Sequence, residues 1–442
     1  MWGTRHESCD TLRPMRMSAF FLLLLTPAFA LERQPAQNDS KPMPPSEAFQ
    51  YAMQPFNDAR QQSDDLTDAD RWALGISIAR AAKACKDYVP LGLPKADTEL
   101  LAMGRLCILG QQYEPAREAL TGYLSIPTAP ERETAFLLLA RAFLGLGWIT
   151  SAESPIESLL SQFPYDANIH YGVDQVVDEA RAQNAESEEV VRRLNEQQLP
   201  FILKALHGNG SLTTTDKSAT VSTAVLFRDT LRCAAQLRAD GKTNDAASLF
   251  AELSAIASEE RFAQSAELPA IQASLKRYEL VGQLSPVKSL HAKRMTSRDA
   301  LVPITISVIR KTTVLLPVAL WAPSSSDVVQ KVATSFKAAG ADTVLYAITS
   351  FAANTGGNDK LDPNIAKTLG ALRQSLPANV QLLIVDNDML EAFAIDNYPS
   401  GIVIDKSGTI RFLEPLNTGG AIRALRKSSH LELRAKENVA LE

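Results

Sequence analysis

The sequence predicts a multidomain chain in which an α-helical repeat region precedes an α/β unit. Three observations carry this reading. Apolar residues recur at helical spacing from about Leu66 to about Gly282. After the polar stretch SPVKSLHAKRMTSRDA (285–300), the pattern changes to short continuous apolar runs alternating with amphipathic segments, as a covered sheet with crossover helices requires. The chain has 442 residues, more than one core needs at about 150 residues per domain.

The first element is a leader. Residues 19–25 read AFFLLLL, with Arg13 and Arg16 before them and Ala28 and Ala30 after. A basic segment, a short apolar run and small residues at the end form the pattern of a secretory signal peptide, residues 1–30. The run is too short to span a bilayer. Export to the periplasm or outside is therefore expected, with no membrane span after cleavage and no lipid-bearing cysteine after the run. N-terminal sequencing of the protein from the envelope fraction is expected to begin at Leu31; an intact leader on cytoplasmic protein would contradict export. Residues 31–65, rich in Pro, Gln and polar residues, read as a disordered lead-in.

Residues 66–290 read as the helical repeat domain. In TELLAMGRLCILGQQYEPAREALTGYLSIP, Leu100, Gly104 and Cys107 fall on one helix face, Ala116, Leu120 and Tyr123 on the next, and Pro127 near the end. The following segment has Phe136, Leu139, Ala140, Phe143 and Gly147, then Ala152, Ile156, Leu159 and Pro164. A more degenerate version is Cys233, Ala234, Leu237, Gly241, Ala246, Phe250 and Leu253. Small residues let paired helices approach, and large ones fill the gaps between neighbours. At a period of about 34 residues, this resembles the tetratricopeptide repeat. The helices between 165 and 226 fit it poorly, and HGNGSLTTTDKSAT (207–220) reads as a loop. Residues 291–300 are expected to link the two domains.

In the C-terminal part, strands are expected at 312–321, 342–349, 380–386, 400–405 and 409–416, and helices at 326–339, 362–376, 388–395 and 419–428. Two stretches stand out. VLLPVALWAPSSSDVV runs a strand through Trp321-Ala322-Pro323 into three serines and a helix. AFAIDNYPSGIVIDKSGTI (392–410) runs a helix end through Pro399 into a strand, then a hairpin turn at Asp405, Lys406 and Gly408. Together they resemble the thioredoxin fold of the redoxin (alkyl hydroperoxide reductase and thiol-specific antioxidant) superfamily, over residues 301–430. The resemblance places the active-site turn after Trp321, its two cysteines at Ser325 and Val328, and its cis-proline at Pro399.

Both thiol positions have lost their sulfur. A helix N-terminus lowers a thiol's pKa and makes it a nucleophile, whereas a serine needs a neighbouring base. No histidine lies between 301 and 429; His291 precedes that span, and His430 follows it in the tail beyond the last helix. Ser324 with Asp327 instead fits a helix-capping pattern. The expected reading has no catalytic residue: an exported scaffold that binds a protein or peptide through its helical repeats, with a redox-inactive thioredoxin-like domain. The rival is a periplasmic thiol-disulfide or peroxide oxidoreductase of the redoxin group. No cofactor or metal is implied. NTGGNDKLDPN (354–364), with Asp359 and Asp362, matches no full calcium-ligand spacing and reads as a surface loop.

Lys and Arg number 45 against 50 Asp and Glu, a net charge of −5 with no basic patch, which argues against nucleic acid as a partner. Beyond the leader the cysteines are Cys85, Cys107 and Cys233. They read as small buried apolar residues. A Cys85–Cys107 disulfide is the alternative in an oxidising compartment. The charged tail 431–442 completes the chain.

Overall fold

In the computed structural model, the described residues are 43–60, 68–183, 187–214, 218–295, 301–319, 324–336, 343–350, 363–377, 379–416 and 421–429. The leader, Trp321, the loop at 354–362 and the tail 431–442 lie outside them.

The helical region begins earlier than expected. Helix α1 (Pro45–Arg60) falls inside the stretch read as a disordered lead-in. Ala48 and Ala52, one turn apart, are buried against α2 (Asp68–Tyr88) and α3 (Asp97–Leu109). The Ser46 amide and hydroxyl both donate to Glu99, at 2.9 and 2.7 Å. The sequence conceals this helix because it contains Pro55 and only a narrow apolar stripe.

Cys85 of α2 and Cys107 of α3 are joined in a disulfide, both fully buried. This corrects the reading of the two as separate apolar residues; only Cys233 among the three is a free buried thiol. The bond closes a loop across 22 positions, which in the chain-entropy account stabilises the fold by about 3 kcal/mol. The C85A/C107A variant is expected to lose about that much in urea unfolding. A loss under about 1 kcal/mol would show that helix packing alone fixes α2 on α3.

The three repeat-like segments each form a consecutive helix pair: α3 with α4 (Tyr113–Leu124), α5 (Arg132–Gly145) with α6 (Glu153–Gln162), and α9 (Thr223–Ala239) with α10 (Thr243–Ala257). Gly104 shows why a small residue is needed: a Cβ there would lie 2.6 Å from Leu120 Cδ2. Between the second and third pairs stand α7 (Ala167–Arg181) and α8 (Ser187–His207). The polar stretch after α8 forms a small hairpin, β1 (Leu212–Thr213) with β2 (Thr220–Val221). The short α11 (Glu260–Ala263) and α12 (Leu268–Leu280) complete the region.

The α/β unit contains β3 (Ser289–Met295), β4 (Leu301–Ser307), β5 (Thr312–Pro317), α13 (Ser324–Phe336), β6 (Thr343–Ser350), α14 (Pro363–Ser375), β7 (Val380–Val385), α15 (Asn387–Ala392), β8 (Ser400–Ile404), β9 (Ile410–Pro415) and α16 (421–429). From β5 onward this is the element order the sequence predicts. The strands form one sheet in the order β4-β3-β7-β6-β5-β8-β9. Strands β5, β6 and β7 run parallel, β8 is antiparallel to β5, and β9 is antiparallel to β8. Alternation along β5 splits the core. Val314 and Leu316 meet Val329 and Val332 of α13, Leu369 of α14 and Leu425 of α16. Leu315 faces the other side with Leu390, Phe393, Ile402 and Ile410.

The linker expected at 291–300 is instead structural at its start. Strand β3 occupies Ser289–Met295 and pairs with both β4 and β7. Leu290 and Ala292 point into the core while His291 and Lys293 face solvent. The junction is further stitched to the hairpin after β8. Gly282 N–H donates to Ile410 O at 2.8 Å, Ile410 N–H to Gln283 O at 2.9 Å, and Ser285 N–H to Gly408 O at 2.7 Å.

Candidate functional site

Pro399 lies at the end of the central strands from which the chain continues toward Ser325 and Val328. Strands β5 and β8 pair with Leu315 opposite Ile402 and Val314 opposite Val403. Continuing that register sets Pro399 across from Val318, where the chain leaves the sheet toward α13. The Tyr398–Pro399 peptide is cis. Pro399 is buried, and its carbonyl accepts from Leu416 N–H at 2.8 Å. The Ser400 hydroxyl donates to Asn397 O at 2.6 Å, closing the turn. Burial, with Asp396 nearby, pushes the Tyr398 hydroxyl pKa up.

Ser325 stands in the first turn of α13, and Val328 follows one turn later on the same side. Val328 is 8% exposed and belongs to the core beneath the sheet. The side chains of Ser324, Ser325 and Ser326, and all of Trp321, lie outside the described residues. Helix α13 already includes Ser324, which the sequence places as its cap. The other member of the expected capping pair, Asp327, forms an ion pair at 2.6 Å with Arg71 in the first turn of α2. Both side chains are about one-third exposed, so the pair contributes at most about 1 kcal/mol.

None of the three cysteines beyond the leader belongs to this turn. Cys85 and Cys107 are bonded to each other in the helical region. Cys233 is buried on α9, where loss of solvation, with Glu196 adding to it, pushes its thiol pKa to about 12. A thiol so protonated is a poor nucleophile. The folded protein lacking residues 1–30, the segment read as a leader, is therefore expected to show no titratable thiol with Ellman's reagent at pH 8, and one after unfolding. A fast-reacting thiol in the native state would contradict this placement.

Sequence reasoning missed a buried polar network on the helical side. Asp229 of α9 is its hub. Its Oδ1 accepts from Arg228 at 2.9 Å and from Arg232 at 3.2 Å, and its Oδ2 lies 3.2 Å from His170 Nε2. His170 Nδ1 lies 2.9 Å from the Tyr165 hydroxyl, which also reaches Gln198 Oε1 at 2.9 Å. Arg232 Nε faces Glu414 of β9 at 3.5 Å, an ion pair without a hydrogen bond between the two atoms. Burial alone would raise the Asp229 pKa, but Arg228, His170 and Arg232 outweigh it and hold the carboxyl well below its ordinary range. The space enclosed here is about 20 Å³, room for a single water rather than a substrate. The network thus joins the helical region to the sheet. Its one sequence signal is the charged RDTLR (228–232) within an otherwise apolar helix.

Among the described residues, no cluster of His, Cys, Asp and Glu is arranged to hold a metal, and no helix is long and apolar enough to cross a membrane.

No protein-family model matches the chain, and no curated protein matches it. Solved structures do. A thioredoxin-like protein from Aeropyrum pernix is 14% identical, covering 31% of this chain and 89% of its own, with a TM-score of 0.25. StoA from Bacillus subtilis is 13% identical over 31% of this chain and 96% of its own, with a TM-score of 0.23. The thioredoxin domain of a thiol-disulfide oxidoreductase from Bacteroides vulgatus is 13% identical over 33% of this chain and 96% of its own, with a TM-score of 0.24. At these scores, the fold of the α/β unit stands on its strand order and register rather than on these likenesses.

Proposed function

We propose that the chain is an exported protein-interaction scaffold, in which a tetratricopeptide-like helical array and a thioredoxin-like unit without redox chemistry present docking surfaces to a protein partner. The observation that carries this reading is the pair Ser325 and Val328 on the first turns of α13, where the redoxin resemblance requires thiols, with every cysteine beyond the leader bonded or buried elsewhere. The buried Cys85–Cys107 disulfide favours an oxidising compartment and so supports export. Consecutive helix pairs supply the extended surfaces by which helical arrays bind peptides and proteins. The turn at Pro399 offers a second docking face.

The test uses the full chain freed of its leader, immobilised and incubated with envelope extract. Saturable retention of a defined protein, unchanged when thiols are blocked with iodoacetamide, is the expected result. Consumption of hydrogen peroxide, or retention only through mixed disulfides that dithiothreitol releases, would favour the oxidoreductase reading.

A further inference from the structure

Helix α15 ends in an unusual way. The Ala394 N–H donates to Glu391 O and the Ile395 N–H to Leu390 O, both at 3.0 Å, closing the helix through a left-handed residue, Ala394, at φ +53°. The same pair of bonds ends α5 and α9, but there Gly147 and Gly241 occupy the left-handed position at φ +76° and +79°. Gln111 takes it at the end of α3, exposed to solvent. Ala394 is 8% exposed and carries a Cβ that this conformation disfavours. Something beyond the local sequence must hold it.

The holding group comes from the helical region. Arg277 of α12, 7% exposed, donates through Nη1 to Ala394 O at 2.7 Å and pairs with the Asp396 carboxylate. Its Nη2 donates to Ser274 Oγ at 2.8 Å, which fixes the guanidinium plane. Beside it, Lys276 Nζ donates to Glu391 O at 2.9 Å. Adjacent cations of α12 thus bind carbonyls at the end of α15: Ala394 O, beyond the last turn, and Glu391 O, which also accepts from Ala394 N–H. From Asp396 the chain passes through Asn397 and Tyr398 to Pro399, whose carbonyl is tied to Leu416.

We propose that Arg277 is a positioning residue for the Pro399 turn: it locks Ala394 in the left-handed conformation, so the helical region sets the shape of the turn on the α/β unit. One nitrogen, Nη1, serves both Ala394 O and Asp396, while Nη2 is held by Ser274 Oγ, so the planar guanidinium is fixed at both arms. Any partner that shifts α12 against the sheet would reshape the turn. This deepens the docking role proposed for that turn and relies on that role only for its consequence. The test below reads the turn itself, so the two ideas fail separately.

The experiment is hydrogen exchange by mass spectrometry on the full chain, comparing wild type with R277A, R277M, A394G and R277A/A394G. In R277A, amides of the peptide spanning 393–402 are expected to exchange about tenfold faster while those of β6 stay protected. A394G alone is expected to keep the turn protected, because glycine accepts the left-handed conformation without help. The decisive variant is R277A/A394G, expected to return close to wild-type protection. If the double variant exchanges as fast as R277A, or if R277A leaves the turn unchanged, the positioning role is wrong. Should R277A unfold globally, R277M, which keeps the apolar stem and removes every donor, carries the test: fast exchange confined to 393–402 supports the role, and wild-type rates there overturn it.

Discussion

Replacing Asp229 by alanine is expected to lower folding stability by about 3–5 kcal/mol, because it strands buried charges rather than removing a single contact. The carboxylate is one-tenth exposed and faces two guanidinium groups and an imidazole. Without it, Arg228 and Arg232 repel one another in a poorly solvated site, and Glu414 of β9 is left as the main counter-charge for Arg232. The D229N variant keeps the shape and loses the charge, so it separates packing from electrostatics. The acid dependence follows from the direction of the Asp229 shift. Its pKa is lowered in the folded state, so its contribution is fully present above the unfolded value, about 3.9. That contribution fades as pH falls below that value toward the folded one. The stability gap between wild type and D229N is therefore expected to be largest near pH 7 and to narrow toward pH 3 in urea unfolding. A D229A loss under about 1 kcal/mol would show that the two regions do not depend on this network.

The α/β unit was legible in the sequence almost element by element from β5 onward. Its strands are unbroken apolar runs with turn residues between them, which is what a sheet covered on both faces demands. The β3–β4 hairpin escaped notice for the opposite reason. Strand β3, SLHAKRM, buries only alternate residues, and edge strand β4, LVPITIS, contains Pro303, which reads as a strand breaker. Helix α1 was hidden by Pro55, and the disulfide by the fact that cysteine spacing alone does not fix pairing.

The same division holds for the site. Ser325, Val328 and Pro399 stand out in the sequence because their neighbours carry the pattern. Arg277 and Arg232 were invisible because their partners Asp396 and Glu414 lie far along the chain, in another unit. A long-range ion pair leaves no local period or motif. What the sequence does betray is a charge on an apolar helix, as at Arg228 and Asp229, without saying what answers it.

The proposal stands or falls on whether Ser325 and Val328 at the start of α13 occupy the two thiol positions of a redoxin-like site without its sulfur. Grafting cysteines at Ser325 and Val328 examines layout and chemistry together. The first thiol would sit in the opening turn of a helix of 13 residues, where free backbone N–H groups and the helix dipole favour the thiolate. The second would sit one turn on, at a position only 8% exposed, shielded from solvent as a resolving partner. Sheet register brings Pro399 to the same end of the strands. The most direct measurement is insulin-disulfide reduction with dithiothreitol, run on the wild-type chain and on the S325C/V328C variant, with the intramolecular disulfide assayed by mass. The wild type is expected to be inert, and the variant to form that disulfide and gain measurable reductase activity. Reductase activity in the wild type, or a variant whose two new cysteines cannot be oxidised to each other, would contradict the claim.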